Sequence, residues 1–152
     1  MVKKQASFQT ILVGDNATPE AERAVAVAMS LAQQLKAKVI LLGVVTPPSA
    51  ESQAEGYGVT NSVAARKKLK EHLERKAQAG KESGIEVVIR MVEGMPEKSI
   101  EEVAEQDGAD LIVVGHRHIS RIRRWCEGST SAGLVRRSPV AVLVVHDADP
   151  AA

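Results

Sequence analysis

Five short apolar runs recur along the chain: FQTILVG (8–14), KVILLGVV (38–45), IEVVIRMV (85–92), DLIVVG (110–115) and VAVLVV (140–145). Each has the length and the β-branched bias of a strand. The second is almost wholly apolar, as a parallel strand buried on both faces must be. The stretches between them carry helical spacing instead. Ala21, Ala24, Val25, Ala28, Leu31, Ala32 and Leu35 fall on one stripe. Thr18 is placed to cap that helix and Pro19 to begin it, with Glu20 and Glu22 in the first turn. Residues 63–80 form a charged helix with a narrow seam of Leu69, Leu73 and Ala77, closed by Gly80 or Gly84. Its charged residues read as a solvated face, and His72 among them as a surface residue without a partner. Pro96 opens a short helix carrying Ile100, Val103 and Ala104. A last helix starts near Gly128-Ser129-Thr130 and ends by Pro139. Residues 46–62 hold Pro, Gly, Ser and Asn and read as a loop or a partly ordered insertion.

Strands alternating with helices imply an α/β fold, a parallel sheet covered on both faces. Right-handed crossovers then leave a doubly wound sheet as the topology. No compositional linker interrupts the pattern, so residues 1–152 read as one domain. Ligands in such sheets sit beyond the carboxyl ends of the strands, where strand order reverses. The run VAVLVV reads most simply as an interior strand; at an edge it would need covering or pairing.

Composition excludes several classes. A net charge of +1 and a pI near 7.9 argue against a broad basic face for nucleic acid. The loop with Arg117, Arg121, Arg123 and Arg124 has no aromatic stacking platform beside it. No apolar run approaches the roughly 18 residues of a membrane span. The basic start has no signal-peptide core after it, so a cytoplasmic protein is expected. The single cysteine, Cys126, rules out an internal disulfide or a multi-cysteine metal site. His116 and His118 alone are too few for a metal.

The strongest local signal runs from the fourth strand into the last helix. Gly115 ends the strand, and Gly128, Ser129, Thr130 and Ser131 open the helix. Free N–H groups at a helix start, with hydroxyls beside them, favour an anionic oxygen. Ordinary capping accounts for the same residues. The four arginines read either as a lid over a polyphosphate or as a solvated loop. Neither a P-loop nor a GxGxxG turn occurs.

Taken together, these segments resemble the universal stress protein family. Many of its members bind ATP through a glycine, two residues, a second glycine, nine residues, then a third glycine and Ser or Thr. Gly115, position 118 and Gly128-Ser129 keep that spacing. ILVGDNATPEAERA resembles the family's first strand and turn, VILLGVV its second strand, and GSTSAGLVRRSPVAVLVV its closing helix and strand. His118 stands where nucleotide-binding members carry glycine. Asn16 stands where they carry aspartate, with Asp15 one residue early. Val44 matches a position that meets adenine through its backbone.

The resemblance implies a five-stranded doubly wound parallel sheet with helices on both faces and strand order 3-2-1-4-5. It implies a nucleotide site built from Gly14, Asp15, Asn16, Val44, Gly115, His118, Gly128, Ser129 and Thr130. The expected ligand is ATP or a related adenine nucleotide, with Mg²⁺. A homodimer through the last strand, Val140 to Val145, is also implied. The expected function is nucleotide-responsive regulation of a stress response, without catalytic residues. Two alternatives stand beside it. One is a dimeric scaffold that kept the fold but not the ligand and serves an unknown protein partner. The other is a slow ATPase, for which Asp15 is the carboxylate near the site early in the chain.

Overall fold

Alternation within single strands sorts the core into two layers. The computed structural model describes residues 7–46, 58–115 and 140–146, with side chains of the second helix from residue 63 onward. The elements run β1 (Thr10–Gly14), α1 (Pro19–Leu35), β2 (Lys38–Val45), α2 (Gly58–Glu82), β3 (Val87–Glu93), α3 (Pro96–Gln106), β4 (Leu111–Gly115) and β5 (Ala141–Val145). In β1, Ile11 and Val13 face one way and Leu12 the other, as the two-residue period of a strand requires. Ile11, Val13, Val39, Leu41 and Val113 pack with Ala24, Val25 and Ala28 of α1 and with Leu73 and Ala77 of α2. On the opposite face Leu12, Ile40, Leu42, Val44, Ile112 and Val114 pack with Ile100, Val103 and Ala104 of α3.

The sheet order is β3-β2-β1-β4-β5, and every neighbouring pair is parallel. This is the expected 3-2-1-4-5 arrangement. The chain steps from β1 through β2 to β3 in one direction, then crosses to β4 and steps to β5 in the other. Right-handed crossovers therefore put α1 and α2 on one face and α3 on the other.

Local chemistry sets the helix ends. The Thr18 Oγ1 accepts from the Ala21 N–H at 3.2 Å, and Pro19 opens α1. At the end of α2, Gly84 takes the left-handed conformation (φ 82°). The Ile85 N–H then returns to the Gly80 carbonyl, and the Gly84 N–H to that of Lys81, which is the Schellman closure. Gly84 is thus the terminator. Gly80 serves packing: a Cβ there would lie 2.7 Å from Val87 Cγ2.

Three expectations change. The second helix begins at Gly58, five residues before the predicted 63, so it takes in the end of the predicted loop. Ile85 is spent on the helix closure, and the third strand starts at Val87. VAVLVV lies at the sheet edge rather than in its interior, with Val142 51% and Leu143 36% exposed. Composition marks a strand but not its place in a sheet. The arginine-rich segment and the predicted last helix lie outside the described residues.

Candidate functional site

The two middle strands part at their carboxyl ends. β1 pairs with β4 only as far as Val13↔Val113. β1 continues with β2 to Gly14↔Leu42, and β4 continues with β5 to Gly115↔Val145. The result is a fork between Gly14 and Gly115 at the point where strand order reverses, the usual place for a ligand in this architecture.

The glycines that flank the fork differ. A Cβ on Gly115 would lie 3.2 Å from the carbonyl oxygen of Glu20, in the first turn of α1. That glycine lets the helix start close over β4. At Gly14 the nearest atom to an added Cβ, among the described residues, is Ile100 Cδ1 at 3.8 Å, an ordinary contact.

β2 contributes main chain. The Asp15 N–H donates to the Leu42 carbonyl at 2.8 Å, the last bond between β1 and β2. Val44 is two residues on, so its N–H and C=O face the same strand edge as those of Leu42. The Gly94 N–H takes the Val45 carbonyl on the other edge. Beyond Asp15 the chain turns away into α1. Among the described residues nothing from that turn bonds to the Val44 main chain. The Val44 side chain is 8% exposed and packs in the α3-side core.

The turn after β1 is held from inside. Asp15 is fully buried. Its Oδ1 accepts from the Ala17 N–H at 2.9 Å, and its Oδ2 lies 2.9 Å from His72 Nε2 on α2. Carboxylate oxygens accept, so the imidazole nitrogen donates. Ala17 sits at φ 59°, a left-handed conformation that costs a non-glycine residue roughly 1–2 kcal/mol. The Asp15 carboxylate and the Thr18 cap hold the chain on either side of it. One turn along α2, Lys76 Nζ reaches Glu22 Oε1 at 2.6 Å. That hydrogen bond and the ammonium's charge hold the Glu22 carboxyl below its ordinary value; desolvation opposes them, and His72 adds a smaller pull.

Residues 7–146 match the profile of the Universal stress protein family. The chain belongs to that family. A universal stress protein of Mycobacterium tuberculosis, Rv1636, is 31% identical over 146 residues, covering 92% of this chain and 97% of the relative. Among solved structures, UspA from Lactobacillus plantarum is similar with a TM-score of 0.72 and 26% identity, covering 92% of this chain and 99% of that one. A universal stress protein solved in complex with cAMP is similar with a TM-score of 0.66 and 29% identity, covering 93% of this chain and 99% of that one.

Within this universal stress protein fold, Gly14, Asp15, Asn16, Val44 and Gly115 all come to the carboxyl edge of the middle strands. They do not present alike. Asp15 turns its carboxylate into the body, while Asn16 beside it stays half-buried at the surface. His118, Gly128, Ser129 and Thr130 lie outside the described residues. His72 corrects the sequence reading: it is 18% exposed and bonded to Asp15, not a free surface residue. The signal for it was present. Leu69, His72, Leu73, Lys76 and Ala77 follow the i, i+3, i+4, i+7, i+8 rhythm of one helix stripe, so His72 flanks the buried seam. Among the described residues no group of three His, Cys, Asp or Glu could hold a metal ion, and no helix is long and apolar enough to cross a membrane.

Proposed function

We propose that this chain binds an adenine nucleotide in the fork between β1 and β4 and works as a ligand-responsive stress regulator. The observation that carries this reading is the Val44 main chain. A donor and an acceptor face the fork from a nearly buried residue, and neither meets the β1 turn. Main-chain groups at a strand edge bond readily to a ligand of matching pattern, and the edge of an adenine supplies an acceptor beside a donor. Asn16, at the mouth, can donate and accept toward base or ribose. The complex of a 29% identical relative with cAMP supports the same ligand class. Phosphates of ATP, with Mg²⁺, would extend toward Gly115, and the family spacing makes His118, Gly128, Ser129 and Thr130 their candidate partners. Asp15 is a poor general base for hydrolysis, because both its oxygens are bonded inside; binding without turnover is the better reading.

Calorimetric titration with ATP, AMP and cAMP, with and without Mg²⁺, tests this. A saturable, adenine-dependent heat is expected. No saturation by about 1 mM nucleotide, a binding free energy of only ~4 kcal/mol, would overturn it. Extraction of protein purified without added nucleotide gives an independent check.

Self-association through β5 belongs to the same reading. Val142 and Leu143 are exposed on an edge strand with no strand beyond it among the described residues. Such an edge invites pairing, and a second copy offers the same strand. Sedimentation equilibrium should give a dimer, and Val142→Lys should shift it to monomer.

A further inference from the structure

We propose that His72 is a positioning residue for the nucleotide site, acting from α2 through the Asp15 carboxylate on the turn that borders the fork. The inference rests on the nucleotide-binding reading above and names a residue that the binding motif does not contain.

The turn from Asp15 to Thr18 has a definite task. It must leave the β2 edge directly after the Leu42 bond, so that the Val44 main chain stays open, and it must carry Asn16 to the mouth. To do so it places Ala17 at φ 59°. An alanine persists in that region only where its surroundings over-determine it. Two bonds from one carboxylate do this: Oδ1 holds the Ala17 N–H, and Oδ2 is held by His72.

The carboxylate has a rotational freedom of its own. With Oδ1 alone engaged, the side chain can turn about its terminal torsion. A second bond at Oδ2, from an imidazole that is itself largely covered, removes that freedom. A buried acceptor left without its donor also seeks another partner, and the nearest route is reorganisation of the turn. His72 is fixed in turn by its neighbours on the helix. Leu73, next to it, is fully buried under α2, and Leu69 and Leu73 both lie against Gly43, where an added Cβ would meet their methyl carbons at 2.9 and 2.8 Å. Gly43 directly precedes Val44. The same stretch of α2 therefore packs on the strand that supplies the open main chain and holds the turn that leaves it open.

The Lys76–Glu22 pair provides an internal control. It joins α2 to α1 one turn further along, but the Glu22 side chain is 64% exposed and bonds Lys76, not Asp15. If His72 merely fastened α2 to α1, both residues would matter in the same way.

The test compares nucleotide affinity in His72→Ala, His72→Gln and Lys76→Ala, at a temperature where melting curves show each variant folded. His72→Ala should weaken binding of the nucleotide that titrates the unaltered protein by about tenfold, the worth of one hydrogen bond to a charged group. His72→Gln, whose amide can still donate to Asp15, should recover most of that loss. Lys76→Ala should leave affinity within about twofold, inside the small effects of exposed ion pairs. Should His72→Ala fail to fold, the unaltered protein still decides. In ¹H–¹⁵N spectra, nucleotide should shift the Ala17 amide and the His72 imidazole signals together. Binding that leaves both unmoved, equal affinity in His72→Ala, or equal losses in His72→Ala and Lys76→Ala would each overturn the positioning role alone. Absence of nucleotide binding by the unaltered protein would overturn the functional reading and this inference with it.

Discussion

The ends of β1 and β4 lie side by side at the fork, and both strands finish on glycine, yet the reasons differ. Gly115 is small because the first turn of α1 lies against it: a Cβ there would press on the Glu20 carbonyl at 3.2 Å. Among the described residues Gly14 has no such neighbour, and a Cβ there would make only a normal contact with Ile100. Among the described residues, packing constrains one glycine tightly and the other only by an ordinary contact. The turn after β1 adds a second contrast. Asp15 sends its carboxylate inward, and the turn it shapes is tied to α2 over 57 positions of sequence. A residue at a site edge can therefore serve the site, the scaffold that shapes it, or both. Spacing alone does not separate these.

The contrast can be broken by substitution. Gly115→Ala should be the most damaging of these changes. The Glu20 carbonyl belongs to a capped helix start and yields only if α1 shifts, so a loss of about 1–2 kcal/mol is expected, in the range for overpacked sites. Urea unfolding checks it. Gly14→Ala should change stability by less than about 0.5 kcal/mol in the same experiment; a loss equal to that of Gly115→Ala would erase the distinction. If Gly14 is small for the ligand's sake, calorimetry on this variant will show weaker nucleotide binding without lost stability.

The smallest effect concerns the outer rung between α1 and α2. The Glu22 carboxyl is held below its ordinary value of 4.5, first by the hydrogen bond from Lys76 and then by its charge. A lowered folded-state value means that the stabilisation is complete above pH 4.5 and is lost as pH falls through the folded value. The stability difference between the unaltered protein and Glu22→Gln should therefore be constant near neutrality and shrink in acid. Added salt should diminish it at neutral pH, because the carboxylate is exposed. A difference that grows on acidification would reverse the assignment.

Most of the architecture could be read from residue patterns. Strand runs, the α1 cap at Thr18, and the Leu69–Leu73–Ala77 seam depend on neighbours within a few residues, and such interactions are written locally. The family's strand and turn segments extended that reading to the sheet order. The convergence of Gly14, Asp15, Asn16, Val44 and Gly115 at the strand ends was legible, since strand ends at a topological switch are placed by connectivity. His72 was half legible: its rhythm put it beside a buried stripe, but nothing in α2 names a partner on β1.

By itself, the amino-acid sequence determined the element types, the two-faced layering and the sheet edge at which a ligand can bind. These come from hydrophobic periodicity, proline and glycine placement, and the handedness of crossovers. Tertiary structure alone decided two things. It made Gly84 the terminator of α2 while Gly80 packs on β3, and it turned Asp15 away from solvent onto His72. Each depends on distances between residues far apart in the chain. Such distances exist only after the helices settle on the sheet, where close packing and the need to pair every buried polar group choose among conformations that local preference leaves open.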